Sequence, residues 1–359
     1  MRLDLRCIVA LSAAASLALA QDRCDAPHPR VYCNTTEILA FHSDNCKPFH
    51  VFVVRGSDEP YPGRLGNLTK EVCSAIGGSD KCGYEDVEYP AKSSAWGKDA
   101  WCNSATKGAK NGQDQMRAYN KKCPKSKLIV LGFSQGGSVA QDMLGGGGGP
   151  TFECEQADNP PLDSTSAPGS NVVAAVTFGA VSRSRDQNFT VGRGKDYDGT
   201  RARTSAQLKA LSRYSDVLLD YCHYGDPICA VGSEPQDVNE HLNYFLQHNS
   251  EVTKWVAAMA KANSDGDVSA RPTKPVAAVV SPSPVSDASS SSSASPTSSV
   301  AARPAKASSS GEAPTPIPDA SVTDGSAAAQ QTGATGAAGS LTVAMGHLTA
   351  MAVAVAFFL

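Results

Sequence analysis

One stretch constrains this chain more than any other: Lys127-Leu128-Ile129-Val130-Leu131-Gly132-Phe133-Ser134-Gln135-Gly136-Gly137. It reads as a short apolar strand, a serine set between glycines, and a helix continuing through Ser138-Val139-Ala140-Gln141-Asp142-Met143-Leu144. Gly132-Phe133-Ser134-Gln135-Gly136 is G-x-S-x-G, the pattern of a strand-to-helix elbow that displays a nucleophile. The turn is so sharp that a Cβ two residues from the serine would collide with the neighbouring strand or helix, a clash glycine avoids. Such a turn lifts the serine hydroxyl above the sheet and aims the Gln135 N–H, at the helix start, into the same space.

The segments around the elbow support a layered α/β fold. Residues 49–54 (Phe-His-Val-Phe-Val-Val) and 171–178 (Asn-Val-Val-Ala-Ala-Val-Thr-Phe) are nearly continuous apolar runs, as buried parallel strands require. Residues 215–221 read as a further strand, and residues 84–89 as another that ends at Pro90. Helical patterns cover 65–76, stopped by Gly77-Gly78, 105–122, stopped by Cys123-Pro124, and 249–263 with Val252, Trp255, Val256 and Met259. Residues 145–170, opening on a run of glycines, read as a loop. Strands alternating with helices at this spacing predict a mainly parallel sheet covered on both faces, with one core over residues 46–263.

The two ends differ in character. Residues 1–20 carry Arg2 and Arg6, an apolar run and a small-residue site at Ala18-Leu19-Ala20, the layout of a secretory signal peptide. Of eleven cysteines Cys7 lies in that segment, leaving ten, and in a secreted chain an even number predicts disulfides, here five. Residues 21–45 form a polar lead-in with Cys24 and Cys33. Residues 264–340 are rich in Ser, Ala, Pro and Thr without an aromatic or a cysteine, which predicts a disordered, O-glycosylated stalk. Residues 341–359 are apolar and uncharged; with the small residues around Gly325 and Ser326 upstream they match a glycosylphosphatidylinositol attachment signal, Gly325 or Ser326 being the expected attachment point. Asn34, Asn67 and Asn188 head N-glycosylation sequons. A net charge of -3 without a Lys/Arg run gives no sign of a nucleic-acid partner.

A nucleophilic serine needs a base, and the base needs an acid to fix its tautomer. Downstream of Ser134, Tyr221-Cys222-His223-Tyr224-Gly225-Asp226-Pro227-Ile228-Cys229 places an aspartate between two cysteines, and His241 lies on an expected loop before the last helix. Asp220 and His248 are the substitute acid and base; His223 reads as a surface or rim histidine. With Arg55-Gly56-Ser57 and Tyr244 added, these motifs resemble the cutinase and acetylxylan esterase family of fungal α/β-hydrolases across residues 46–263. The resemblance implies a small lidless, disulfide-stapled α/β-hydrolase with Ser134 as nucleophile, His241 as general base and acid, Asp226 as orienter, and an oxyanion hole from Ser57 and the Gln135 N–H. It also implies the pairs Cys46–Cys123 and Cys222–Cys229, leaving the other six cysteines open among fifteen pairings.

The chain departs from the family pattern at Gly179-Ala180-Val181, where many relatives carry Gly-Asp-Pro. Gly136-Gly137 and the glycine run resemble the acetylxylan esterase branch more than true cutinases, and the polar segments 57–64 and 233–240 lean toward short acyl esters such as acetylated xylan; a cutinase for longer chains is the alternative. A catalytically idle wall or adhesion protein is a third reading. Trp96 and Trp101 are candidates for a sugar-binding rim or for packing. No metal or organic cofactor is implied, and the expected form is a monomer tethered to the cell surface or wall.

Overall fold

The computed structural model describes residues 36–275. The expected signal peptide, Cys7, Cys24, Cys33, Asn34, most of the expected stalk, Gly325, Ser326 and the apolar tail lie outside the described residues. A short helix α1 (Thr36–Leu39) precedes strand β1 (Phe49–Val54), helix α2 (Gly66–Ile76), β2 (Cys82–Asp86), the long α3 (Ala100–Lys122) and β3 (Lys127–Phe133). Then come α4 (Gln135–Gly145), β4 (Gly147–Thr151), β5 (Cys154–Asn159), β6 (Val172–Phe178) and β7 (Thr190–Val191). The domain closes with α5 (Ser205–Leu211), β8 (Leu218–Tyr221), α6 (Val238–Leu242) and α7 (Tyr244–Ser264). Among the described residues no helix is long and apolar enough to cross a membrane.

Six strands form one parallel sheet in the order β2-β1-β3-β6-β8-β7. All residues of β1 and β6, and all of β3 but Lys127, are buried, which is why these strands read as unbroken apolar runs. Each Val, Leu, Ile or Phe buried this fully contributes about 1.5–3 kcal/mol. The chain steps from β1 outward to β2, then returns across β1 to β3 and continues the other way. That reversal puts a topological switch point between the carboxyl ends of β1 and β3, where open α/β sheets bind ligands. Ser57 follows β1 and Ser134 follows β3, so the two predicted site residues flank this crevice.

Several expectations are corrected. Residues 145–170 are not a loop: Gly147–Thr151 and Cys154–Asn159 pair as an antiparallel hairpin. The glycine run hid it, because Gly148 and Gly149 sit at φ +111° and +112°, conformations glycine reaches freely, and no alternation of apolar side chains marks the strands. Helix α5 was not foreseen, although Thr204 and Gln207 form a capping box that announces it. Strand β2 starts at Cys82, earlier than residue 84, and α3 and α7 start earlier than residues 105 and 249.

Four disulfides are present among the described residues: Cys46–Cys123, Cys73–Cys82, Cys102–Cys154 and Cys222–Cys229. Of the cysteines the sequence left open, only Cys24 and Cys33 stay unassigned, outside the described residues. Ile38 of the lead-in is 3% exposed, so part of that segment packs into the core. At the other end Lys274 Nζ donates to Asn188 O at 2.6 Å.

A polar cluster lies buried between β6, β8 and α4. Asp220 Oδ1 accepts from Thr177 Oγ1 at 2.8 Å and Gln141 Nε2 at 2.9 Å, and Oδ2 from Arg183 Nε at 2.8 Å. Arg183 Nη1 also donates to the carbonyls of Gly194, Tyr197 and Cys229 at 3.2, 2.6 and 3.1 Å. The guanidinium thereby ties strand β8 to the bridged loop that carries Asp226.

Candidate active site

Ser134 leaves β3 at φ 56°, ψ -118°, a left-handed conformation that costs a non-glycine residue on the order of 1–3 kcal/mol. The strain is held by packing on every side. The Ser134 N–H donates to Phe178 O at 2.8 Å. A Cβ on Gly132 would meet Gly136 O and Ala140 Cβ, and one on Gly136 would strike the Val54 and Arg55 carbonyls at the end of β1. The two glycines therefore let α4 press against β3 and β1 at once. Ser134 is half-buried, while Gln135 is fully buried.

His241 lies on α6, not on the loop expected for it; Asp237 caps that helix by accepting the Asn239 N–H at 2.8 Å. Its Nε2 is 2.9 Å from Ser134 Oγ and its Nδ1 is 2.9 Å from Asp226 Oδ2. A carboxylate only accepts, so the proton sits on Nδ1 and the Nε2 lone pair faces the serine. Asp226 is fully buried, with Oδ1 accepting the N–H groups of Ile228 at 2.7 Å and Cys229 at 3.2 Å. Its Oδ2 also accepts the Tyr244 hydroxyl at 2.7 Å. Burial alone would raise this carboxyl, but the His241 charge and the hydrogen bonds from His241, Tyr244 and Ile228 outweigh it and hold it below the ordinary carboxylate range. Burial, then the neighbouring Asp226, keep the Tyr244 hydroxyl protonated far up the scale, so it stays a donor.

The substitutes point elsewhere. Asp220 belongs to Arg183, as described above. His248 meets His223 Nε2 to Nε2 at 2.8 Å, with its Nδ1 3.5 Å from Glu251 Oε1. His223 is not a surface histidine: it is 7% exposed, stacks on Tyr244 at 4.1 Å, and donates Nδ1–H to Glu240 O at 2.9 Å. Burial and then the His248 charge lower its pKa, so it braces the α6–α7 corner as a neutral ring.

Ser57 sits half-buried in the turn after β1, two residues beyond Arg55, whose carbonyl lies against Gly136. Glu59, which sequence reasoning passed over, and Gly179 shape this space. Glu59 is buried; its Oε2 accepts the Gly56 N–H at 2.9 Å and the Arg64 N–H at 3.3 Å, while Oε1 pairs with Arg64 Nε at 3.0 Å. It fixes the Ser57 turn from below, and burial raises its pKa against the pull of Arg64. Gly179, at φ 56°, lets β6 end against the imidazole: a Cβ there would lie 2.8 Å from His241 Cε1. The departure at Gly179-Ala180-Val181 thus keeps the feature the site needs, and the glycine itself was the readable signal.

The other predicted positions fall into place without a site. Trp101 is 2% exposed and meets Phe152 edge to face at 5.4 Å, so it is core; Trp96 is exposed. Asn188 is exposed, whereas the Asn67 sequon lies in α2 with Thr69 buried and its Oγ1 donating to Leu65 O at 2.9 Å. Among the described residues no group of three or more His, Cys, Asp or Glu is arranged to hold a metal.

The chain has known relatives. A family model described as Cutinase matches residues 45–260. The chain is 26% identical over 217 residues to acetylxylan esterase 2 of Talaromyces purpureogenus, covering 59% of this chain and 86% of the relative. It is 27% identical over 225 residues to cutinase 11 of Verticillium dahliae, covering 62% and 71%. An iodinated complex of acetyl xylan esterase superposes with a TM-score of 0.50 at 26% identity, over 61% of this chain and 99% of that one.

Proposed function

Because the chain belongs to the cutinase family of carboxylic ester hydrolases, we propose that it is a secreted serine esterase working through Ser134, His241 and Asp226. The observation that carries this reading is the continuous file Ser134 Oγ, His241 Nε2, His241 Nδ1, Asp226 Oδ2, with both links at 2.9 Å. His241 takes the Ser134 proton as the hydroxyl attacks the ester carbonyl; the tetrahedral oxyanion is received by Ser57 and the Gln135 N–H. The C–O bond to the alcohol breaks as His241 returns the proton to the leaving oxygen. Water, deprotonated by His241, then cleaves the acyl-enzyme and regenerates Ser134. Asp226 holds the Nδ1–H tautomer and stabilises the imidazolium formed in each step.

We assign short acyl groups such as acetate on xylan as the substrate, in keeping with the relatives named acetylxylan esterase and with the polar loops flanking the site. A longer acyl chain is the second reading, favoured by the exposed Val238 and Leu246 at the α6–α7 corner beside His241. Purified wild type assayed on p-nitrophenyl esters from acetate to octanoate decides between the two: falling kcat/KM with chain length supports acetate, rising kcat/KM the second reading. Ser134→Ala abolishes hydrolysis throughout the series, a loss of about 10^4-fold or more; retained turnover by the variant removes Ser134 from the mechanism. The four disulfides fit an oxidising, extracellular compartment. The signal peptide, the lipid-anchor signal with attachment at Gly325 or Ser326, and glycans, of which Asn188 is the sequon best exposed, complete the proposal of a surface-tethered enzyme.

A further inference from the structure

A single exposed aromatic side chain ordinarily needs no explanation. Trp96, 65% exposed, differs in being held still. Its indole Nε1–H donates to Asp58 Oδ1 at 2.7 Å, an oxygen that also accepts the Ser93 N–H at 3.2 Å. The Lys92 ammonium lies 4.7 Å from the ring centroid. One face is therefore next to a charge and the pyrrole edge is tied down, leaving an open ring face in a fixed orientation.

The loop bearing Trp96 is joined to both expected oxyanion donors. Asp58 follows Ser57 directly and donates its N–H to Ala91 O at 2.6 Å. Gln135 donates Nε2–H to Lys92 O at 2.9 Å and accepts at Oε1 from Ser104 Oγ at 3.0 Å, and Ser104 Oγ accepts the Lys92 N–H at 3.0 Å. The ring thus stands on a rigid support beside the crevice between β1 and β3.

We propose that Trp96 is a stacking platform for a pyranose ring in the alcohol part of the substrate, which makes the preferred substrate an esterified polysaccharide. A sugar lays its C–H face on the open side of the indole, with the Asp58 carboxylate at the ring edge to accept from a hydroxyl. An acyl chain has no such group and would strip water from that charge without replacement. A platform fixed before binding also lowers the ordering cost of the complex. The proposal rests on the esterase reading of Ser134 and extends it to the alcohol moiety.

The test is the ratio of kcat/KM on acetylated xylan to kcat/KM on p-nitrophenyl acetate, which does not depend on the folded fraction of a variant. Trp96→Ala lowers that ratio by about tenfold or more, and Trp96→Tyr restores most of it. An unmoved ratio overturns the proposal. So does a fall in the octanoate-to-acetate ratio instead, which assigns the ring to the acyl chain. A binding arm separates this idea from the esterase reading: acetylated xylo-oligosaccharide titrated into Ser134→Ala and Ser134→Ala/Trp96→Ala by calorimetry. Loss of about tenfold in affinity in the double variant supports the platform even if wild type hydrolyses no ester. Equal affinities, or no binding by either protein at millimolar oligosaccharide, overturn it.

Discussion

Asp220 and Asp226 lie six positions apart, both fully buried, yet they do opposite kinds of work. Asp220 faces a permanent cation: Arg183 Nε is 2.8 Å away and both side chains are wholly excluded from solvent. Asp226 faces a conditional one: in the proposed mechanism His241 gains a charge when it takes the Ser134 proton. In the interim Asp226 is satisfied by two backbone N–H groups and the Tyr244 hydroxyl. A carboxylate whose counter-charge never changes is structural; one whose counter-charge appears during turnover is chemical. That distinction, more than burial or position, separates two aspartates the sequence left as rivals.

Substitution breaks the pair apart most strongly. Asp226→Asn keeps an oxygen for the backbone donors and leaves no orphaned cation, so it lowers the urea midpoint less than loss of Asp220 does, while kcat falls about 10^4-fold. Asp220→Ala leaves Arg183 buried without a counter-ion and costs about 3–5 kcal/mol of stability, read as a lowered urea midpoint. Its remaining folded fraction keeps a near-normal kcat. If the two variants exchange these outcomes, the distinction is wrong.

A third carboxylate sharpens it from the other side. Asp86 is only loosely paired: its Oδ1 is buried with no hydrogen-bond partner among the described residues, and its Oδ2 meets His42 Nε2 at 3.9 Å. Burial holds this carboxyl up at about 7, against the pull of Arg55. The native state keeps a proton that the unfolded chain releases near pH 4. Its contribution is therefore full below that pH and is lost as pH rises to about 7. Asp226 has the opposite sign, contributing above the unfolded carboxylate pKa and losing that contribution as pH falls through its depressed native value. Urea midpoints measured from pH 4 to 8 show the effect: Asp86→Asn gains on wild type toward pH 8, on the order of 2 kcal/mol. A difference independent of pH contradicts the assignment.

Much of this was legible from residues alone. Phe49–Val54 and Lys127–Phe133 are buried on both faces, so their apolar runs had one reading. The glycines around Ser134 announced a turn that only close backbone contact requires. What was not legible depends on partners distant in sequence. Nothing in Asp220 or Asp226 names Arg183 or Tyr244, and nothing local in Glu59 shows that it holds the Ser57 turn. The hairpin at Gly147–Thr151 and Cys154–Asn159 is fixed by tertiary packing rather than by its own pattern.

In the proposed mechanism His241 and Asp226 make Ser134 nucleophilic. Treating the full-length chain with diisopropyl fluorophosphate, followed by intact mass and peptide mapping, tests it most directly. One label per chain is expected, on the peptide holding Ser134, formed far more slowly in Asp226→Asn and at the wild-type rate in folded Asp220→Ala. No label, or a label on another residue, contradicts it.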